Sequence, residues 1–240
     1  MMFGRSRLTP AQILVLIGVA ILFLYVSGGS LLLGLVRRPE VFVGLVLGLL
    51  VGITVHEAAH AATAVALGDP TPARMGRVSL NPLRHLDPLG TMFMLIASFG
   101  WGKPVVYNPA NLRGNPRLGS ALVAVMGPLS NIVVATLAAI LLVSGPVFSD
   151  QGARILQMVM FTNVGLAAFN LLPIPPLDGF GFVLNLLPRP LAATIAPLAP
   201  YGPLLLLALV FIPGLGLHAI LAPIQGVILE VVIGTARLFS

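Results

Sequence analysis

The chain has 240 residues, of which 58% are hydrophobic and only 8% charged, with 13 basic and 7 acidic side chains. A soluble domain ordinarily carries about 25% charged residues, so this composition excludes an ordinary water-soluble globule, a disordered chain and a coiled coil. The net charge of +6 is spread among apolar runs rather than set on one face, which argues against a nucleic-acid binder and makes lipid the solvent of most of the surface.

A helix needs about 20 apolar residues to cross the hydrocarbon core. Residues 11–36 carry no charge and make a first span. That run is longer than the roughly 7–15-residue core of a signal peptide, so the N-terminus reads as an uncleaved span. A second span covers 41–67 and is interrupted by His56, Glu57 and His60. Residues 68–117 differ in texture, with repeated Pro and Gly and an apolar stretch, Met92 to Phe99, too short to cross as a helix. This segment reads as short strands or a re-entrant hairpin on the cytoplasmic side. Val78-Ser79-Leu80 and Pro104-Val105-Val106-Tyr107 are its strand candidates. Further spans are expected over 118–144, 155–177, 192–212 and 215–237, the last two divided by Pro213-Gly214.

The expected fold is therefore an all-α polytopic membrane protein. It has six transmembrane helices in one membrane-embedded domain, 1–240, and a short β or re-entrant segment between the second and third. With the N-terminus inside, ten basic residues fall in cytoplasmic segments and three, Arg37, Arg38 and Arg154, outside. Both termini are accordingly expected in the cytoplasm.

Charged groups inside apolar runs are costly and mark function. The sharpest set is His56-Glu57-Ala58-Ala59-His60. On a helix, positions i and i+4 share a face, so two imidazoles can grip one Zn²⁺ while the intervening Glu acts on a water. By composition alone this pattern arises in roughly one chain in a thousand. The alternative is a polar helix end whose histidines bond to backbone or lipid headgroups, but Glu57 has no basic neighbour in sequence. The absence of cysteine removes thiolate ligands, and a catalytic zinc usually takes three protein ligands. The third must come from His85, Asp87, Asp178, His218 or a more distant acid. Asp178 stands out. It follows Pro173, Pro175 and Pro176, which break the helix, and an even number of crossings separates it from the histidines. Alone it would read as a turn residue in an Asp-Gly pair.

These elements together resemble the site-2 protease family of intramembrane zinc metalloproteases. The family carries H-E-x-x-H on one transmembrane helix and N-x-x-P-x-P-x-x-D-G on another. Asn170, Pro173, Pro175, Asp178 and Gly179 match the second motif position by position. Gly127-Pro128-Leu129-Ser130-Asn131 resembles the family's G-P-x-x-N element. Asn81-Pro82, Asp87-Pro88-Leu89-Gly90 and Gly100-Trp101-Gly102-Lys103-Pro104 resemble its loop after the first motif. The likeness runs from about residue 50 to 185, and the chain has no room for the PDZ or CBS domains of some relatives.

The resemblance implies one zinc per chain on His56, His60 and Asp178, with Glu57 as the catalytic acid–base, and a prokaryotic cell membrane as location. The implied substrates are transmembrane proteins, cut within the bilayer. Asn131 is a candidate for the oxyanion or the substrate backbone, or equally for a bond between helices. Asn170 is a further substrate-side candidate that reads more readily as structural. An unwound substrate could add as a strand to the segment between the second and third spans. A small transporter or channel, or an inactive helix-binding scaffold, are the competing readings. The few intramembrane acids, the absence of an internal repeat and the intact Glu57 count against them.

Overall fold

The computed structural model describes residues 38–87, 90, 102–145, 148–211 and 216–239. Helix α1 (Pro39–Ala66) opens on Pro39, whose missing N–H is no loss in a first turn, with Glu40 beside it. It stops where Gly68 takes a φ of +115°, a left-handed value that suits glycine. One short turn, α2 (Thr71–Arg74), follows. Helix α3 (Pro116–Val143) is capped by Asn115, whose side chain accepts from the Arg117 and Leu118 amides. Helix α4 (Asp150–Asn170) is capped in the same way by Ser149, which accepts from Gly152. The chain continues through α5 (Asp178–Leu186), α6 (Arg189–Ile195), α7 (Gly202–Phe211) and α8 (Leu217–Ala236).

Helices α1, α3 and α4 pack mutually, and α8 lies against α3 and α4. Between α1 and α4 the contact is made by absent side chains. Gly44, Gly48 and Gly52 recur at every fourth position and so share a face. A Cβ on Gly44 would stand 2.5 Å from Met158 Cβ, on Gly48 2.8 Å from Thr162 Cβ, and on Gly52 2.6 Å from Leu166 Cδ1. Apolar side chains gain little by leaving lipid, so close backbone approach through small residues is how such helices associate. The α3–α4–α8 seam follows the same rule, with Ala135, Ala139, Ala167, Ala168, Val232 and Ala236 buried along it.

Among the described residues, four helices are long and apolar enough to cross a membrane: Pro39–Ala66, Pro116–Val143, Asp150–Asn170 and Leu217–Phe239. They correspond to the expected second, third, fourth and sixth spans. The expected first span, 11–36, lies outside the described residues. The expected fifth span, 192–212, is not one helix over its described part. It breaks into α6, a 3₁₀ stretch at Ala196–Tyr201 and α7. Pro197, Pro200 and Pro203 remove donors and clash with preceding carbonyls, so uniform hydropathy there does not make a continuous helix. The fourth span ends at Asn170, seven residues before its expected end, because prolines 173, 175 and 176 follow.

The strands expected in 68–117 are likewise corrected. Among the described residues there is no strand; between α2 and α3 the segment forms 3₁₀ turns at Pro82–Arg84 and Pro109–Asn111 and one antiparallel bridge, Leu86 to Gly102. Each 3₁₀ turn is seeded by an asparagine, Asn81 or Asn108, whose side chain accepts from the amide two residues on. Met92 to Phe99 and Trp101 lie outside the described residues.

Candidate metal centre

The glycine stripe of α1 runs on into the histidines, since 44, 48, 52, 56 and 60 follow at four-residue steps, each turning the stripe about 40° further round the helix, from α4 toward α3. His56 and His60 are buried where α1 meets α3. Gly127 makes room for them. A Cβ there would lie 2.4 Å from His60 Nε2 and 2.7 Å from His56 Cε1. The next residue, Pro128, cannot donate to the Ala124 carbonyl, which loosens the turn of α3 facing the rings. His60 Nδ1 donates to the Val123 carbonyl at 2.6 Å in this turn.

The hydrogen-bond network fixes the histidine tautomers. Asn163 Nδ2 donates to the carbonyls of Gly48 (3.3 Å) and Val159 (2.9 Å). Its Oδ1 therefore accepts from Asn131 Nδ2 at 3.0 Å, which also donates to the Gly52 carbonyl at 3.1 Å. That leaves Asn131 Oδ1 as the acceptor for His56 Nδ1, 2.7 Å away. Both imidazoles thus carry their proton on Nδ1, and both Nε2 lone pairs point inward. The two Nε2 atoms are 3.0 Å apart and lie 2.9 and 3.3 Å from Asp178 Oδ2.

With neutral rings, three acceptors face one another with no proton between them, and Asp178 Oδ2 is buried without a hydrogen-bond donor. A divalent cation resolves that arrangement. His56, His60 and Asp178 are the one group of this kind among the described residues, with ligand atoms all within 4.8 Å. Two imidazole nitrogens and one carboxylate oxygen suit zinc and leave a position open.

Asp178 arrives from the other motif. After α4 ends, the chain turns through Leu171–Leu177 and restarts as α5 at Asp178. The crossing is tight at Gly179, where a Cβ would stand 2.2 Å from the Leu171 carbonyl oxygen. The far end of α5 is tied by Arg117, which donates to the carbonyls of Leu184 (3.0 Å) and Leu187.

Glu57 and Asp178 both border a cavity of about 330 Å³. Pro104, Val105 and Tyr107 line it from the segment before α3, and Pro175, Leu177 and Phe180 from the turn into α5. Glu57 Oε2 has no hydrogen-bond donor and lies 3.6 Å from the Arg77 guanidinium. Gly102 passes close by, since a Cβ there would be 3.4 Å from Glu57 Oε1 and 3.0 Å from Ile53 Cγ2.

Beyond the end of α1, Asp69 is fully buried and accepts from Thr71, Asn108 and Asn111. Burial pushes its carboxyl up, but hydrogen bonds from Asn111, Asn108 and Thr71 outweigh this and bring it to about 2, against an ordinary 3.8. A carboxyl lowered on folding contributes stability that is complete above its unfolded value and disappears as pH falls through the folded one. Acid unfolding of the detergent-solubilised protein is therefore expected to steepen between about pH 4 and 2, and Asp69→Asn to flatten that interval. Identical curves for the two proteins would contradict the assignment.

The structure brings together His56, His60 and Asp178, with Glu57 alongside. Asn131 is completely buried, outside the cavity wall, with its oxygen and both amide protons engaged within the bundle. Asn170 donates to the Leu166 carbonyl at 3.0 Å at the end of α4 and does not line the cavity. Of the other candidate ligands, His85 is buried with Nε2 on the Ser79 carbonyl, Asp87 accepts from the Gly90 amide, and His218 is exposed on α8. Sequence reasoning passed over Asn163 and Arg77, and it took Gly127 only as part of a motif, not as the residue that makes room for the rings. An asparagine in an apolar helix was a visible signal for the first, whereas nothing local marks Arg77 as a partner of Glu57.

No protein-family model matches the chain. No solved structure matches it. Among curated proteins, "Putative zinc metalloprotease YwhC" of Bacillus subtilis (strain 168) is 38% identical over 184 residues, covering 73% of this chain and 83% of that protein. "Putative zinc metalloprotease Rip2" of Mycobacterium tuberculosis (strain ATCC 25618 / H37Rv) is 32% identical over 224 residues, covering 88% and 84%. The protein of that name from Mycolicibacterium smegmatis is 32% identical over 184 residues, covering 73% and 69%. These relatives are bacterial, and their names agree with the zinc-compatible triad. The chain belongs to the site-2 protease family of zinc metalloproteases.

Proposed function

We propose that this protein hydrolyses a peptide bond in or near the transmembrane segment of a membrane-protein substrate. The observation that carries the reading is the site's place inside a helix long and apolar enough to cross a membrane. His60 lies six residues before the end of a 28-residue apolar helix, about 9 Å along its axis at 1.5 Å per residue. A metal centre so placed serves substrates that are themselves in the bilayer. In this reading His56, His60 and Asp178 are the zinc ligands, and both chain termini face the cytoplasm of a prokaryotic cell.

Bound zinc would polarise the scissile carbonyl and lower the pKa of a water toward ~7. Glu57 takes the proton of the attacking water and returns one to the leaving amine. Asn131 and the Val123 carbonyl hold the two imidazoles in the tautomer that presents Nε2. Both Asn131 amide protons are spent inside the bundle, so its part is to orient His56 and not to meet the oxyanion. Asn170 serves the end of α4 and not the substrate.

A transmembrane helix satisfies its own backbone, so it must unwind before attack. Val105 and Tyr107 are half-buried and line the cavity, while Val106 between them is exposed. The unwound stretch would lie along this wall by backbone pairing. Reconstituted with a single-span peptide, the protein is expected to cleave it, to stop on zinc chelation and to recover on zinc return. No cleavage together with no bound zinc would refute the proposal. A photo-crosslinker at Val105 or Tyr107 is expected to capture the peptide. Adducts at neither position would remove the capture step.

A further inference from the structure

The cavity wall at Pro104–Tyr107 is held at its two ends and nowhere between. At one end Arg77, only 6% exposed, donates to the carbonyls of Arg84 and Lys103 and places its guanidinium 3.6 Å from Glu57. The Lys103 amide meanwhile donates to the His85 carbonyl at 2.7 Å. At the other end the Asn108 amide donates to Asp69 Oδ2 at 2.6 Å. Asp69 Oδ1 accepts from Asn111 Nδ2 at 2.8 Å and from Thr71 Oγ1 at 2.7 Å. Between these anchors the backbone groups of Val105, Val106 and Tyr107 make no hydrogen bond to any described residue.

Burying an acid and an arginine is costly unless their bonds repay it. Here both are spent on the ends of one four-residue segment whose middle is left open. Fixing an unpaired backbone in advance is what a chain-capturing edge requires, because the ordering cost is met before substrate arrives. Register matters for such an edge. A slip of one residue turns every side chain to the opposite face, and a slip of two moves the captured chain by about 7 Å.

We propose that Asp69 and Arg77 are positioning residues that hold Pro104–Tyr107 in fixed register against Glu57 and so set which peptide bond is cut. The inference rests on the proteolytic reading above. The test uses the full chain reconstituted with a single-span peptide, comparing wild type with Asp69→Asn, Asn111→Ala and Arg77→Lys. KM, kcat, zinc content and product masses are read together.

Asp69→Asn is expected to raise KM about tenfold, to leave kcat within about twofold and zinc content unchanged, and to add cuts at neighbouring bonds. Arg77→Lys, which keeps the charge but not the fork that reaches two carbonyls, is expected to add the same secondary cuts. Asn111→Ala removes one donor from an exposed side chain, and a smaller shift of the same kind is expected. It carries the test should Asp69→Asn fail to fold. A single unchanged cut site with unchanged KM in zinc-loaded variants would overturn the proposal. So would loss of zinc in Asn111→Ala, which would make the anchor part of the fold and not of register. Failure of the wild type to cleave would instead refute the proteolytic reading itself.

Discussion

Replacing Glu57 with Gln is expected to lower cleavage by about 10²–10⁴-fold while zinc stays bound, the range that a positioned acid–base group supplies. The substitution conserves shape, so Gly102 and Arg77 still find a side chain of the same length. It removes the one property the mechanism needs, a carboxylate that can take a proton beside the metal. The triad atoms come from His56, His60 and Asp178, and none depends on Glu57 for its hydrogen bonds. Metal content and turnover should therefore separate, which analysis of zinc and of product on the same preparation will show. Undiminished cleavage would exclude Glu57 as the acid–base group, and loss of zinc would place it among the ligands.

Asp178→Ala should act on the other quantity. It leaves two nitrogen ligands at a centre that needs three. Zinc affinity is expected to fall by more than the roughly 10–100-fold that losing an outer-sphere partner costs, and cleavage should fall with it. The fold should survive, because α5 is held at its far end by Arg117 and at its start by the Gly179 crossing. Titration with a zinc indicator measures the change. Affinity equal to wild type would mean that the third ligand comes from elsewhere in the chain.

Much of the fold was legible because long uncharged apolar runs locate the spans, as over 118–144 and 155–177, although the helices themselves begin earlier, at Pro116 and Asp150, behind the caps Asn115 and Ser149. Hydropathy was least informative where proline density mattered more, as in the broken stretch over Arg189–Phe211. The segment after α1 contains β-branched residues that suggested strands. Its asparagines and prolines instead favour 3₁₀ turns, and a strand also needs a partner that propensity cannot supply.

The histidine pair with Glu57 was readable because its spacing is set by one helix. Asp178 was readable only beside that pair, since two long helices separate it from the histidines along the chain. The role of Asn131 stayed open in sequence because an amide serves a substrate or a neighbouring helix equally well. Only its contacts with His56, Gly52 and Asn163 decide where its protons go. Arg77 was hidden for the same reason, and so was the room that Gly127 makes for the histidines, as their meaning lies in groups distant along the chain.

The most direct test of the account is to map the scissile bond. A single-span substrate is reconstituted in lipid with the zinc-loaded protein, and the products are identified by mass spectrometry. The account predicts a cut inside or at the edge of the apolar segment, absent in Glu57→Gln. Cleavage confined to the soluble flanks, or equal cleavage by the Gln variant, would contradict it.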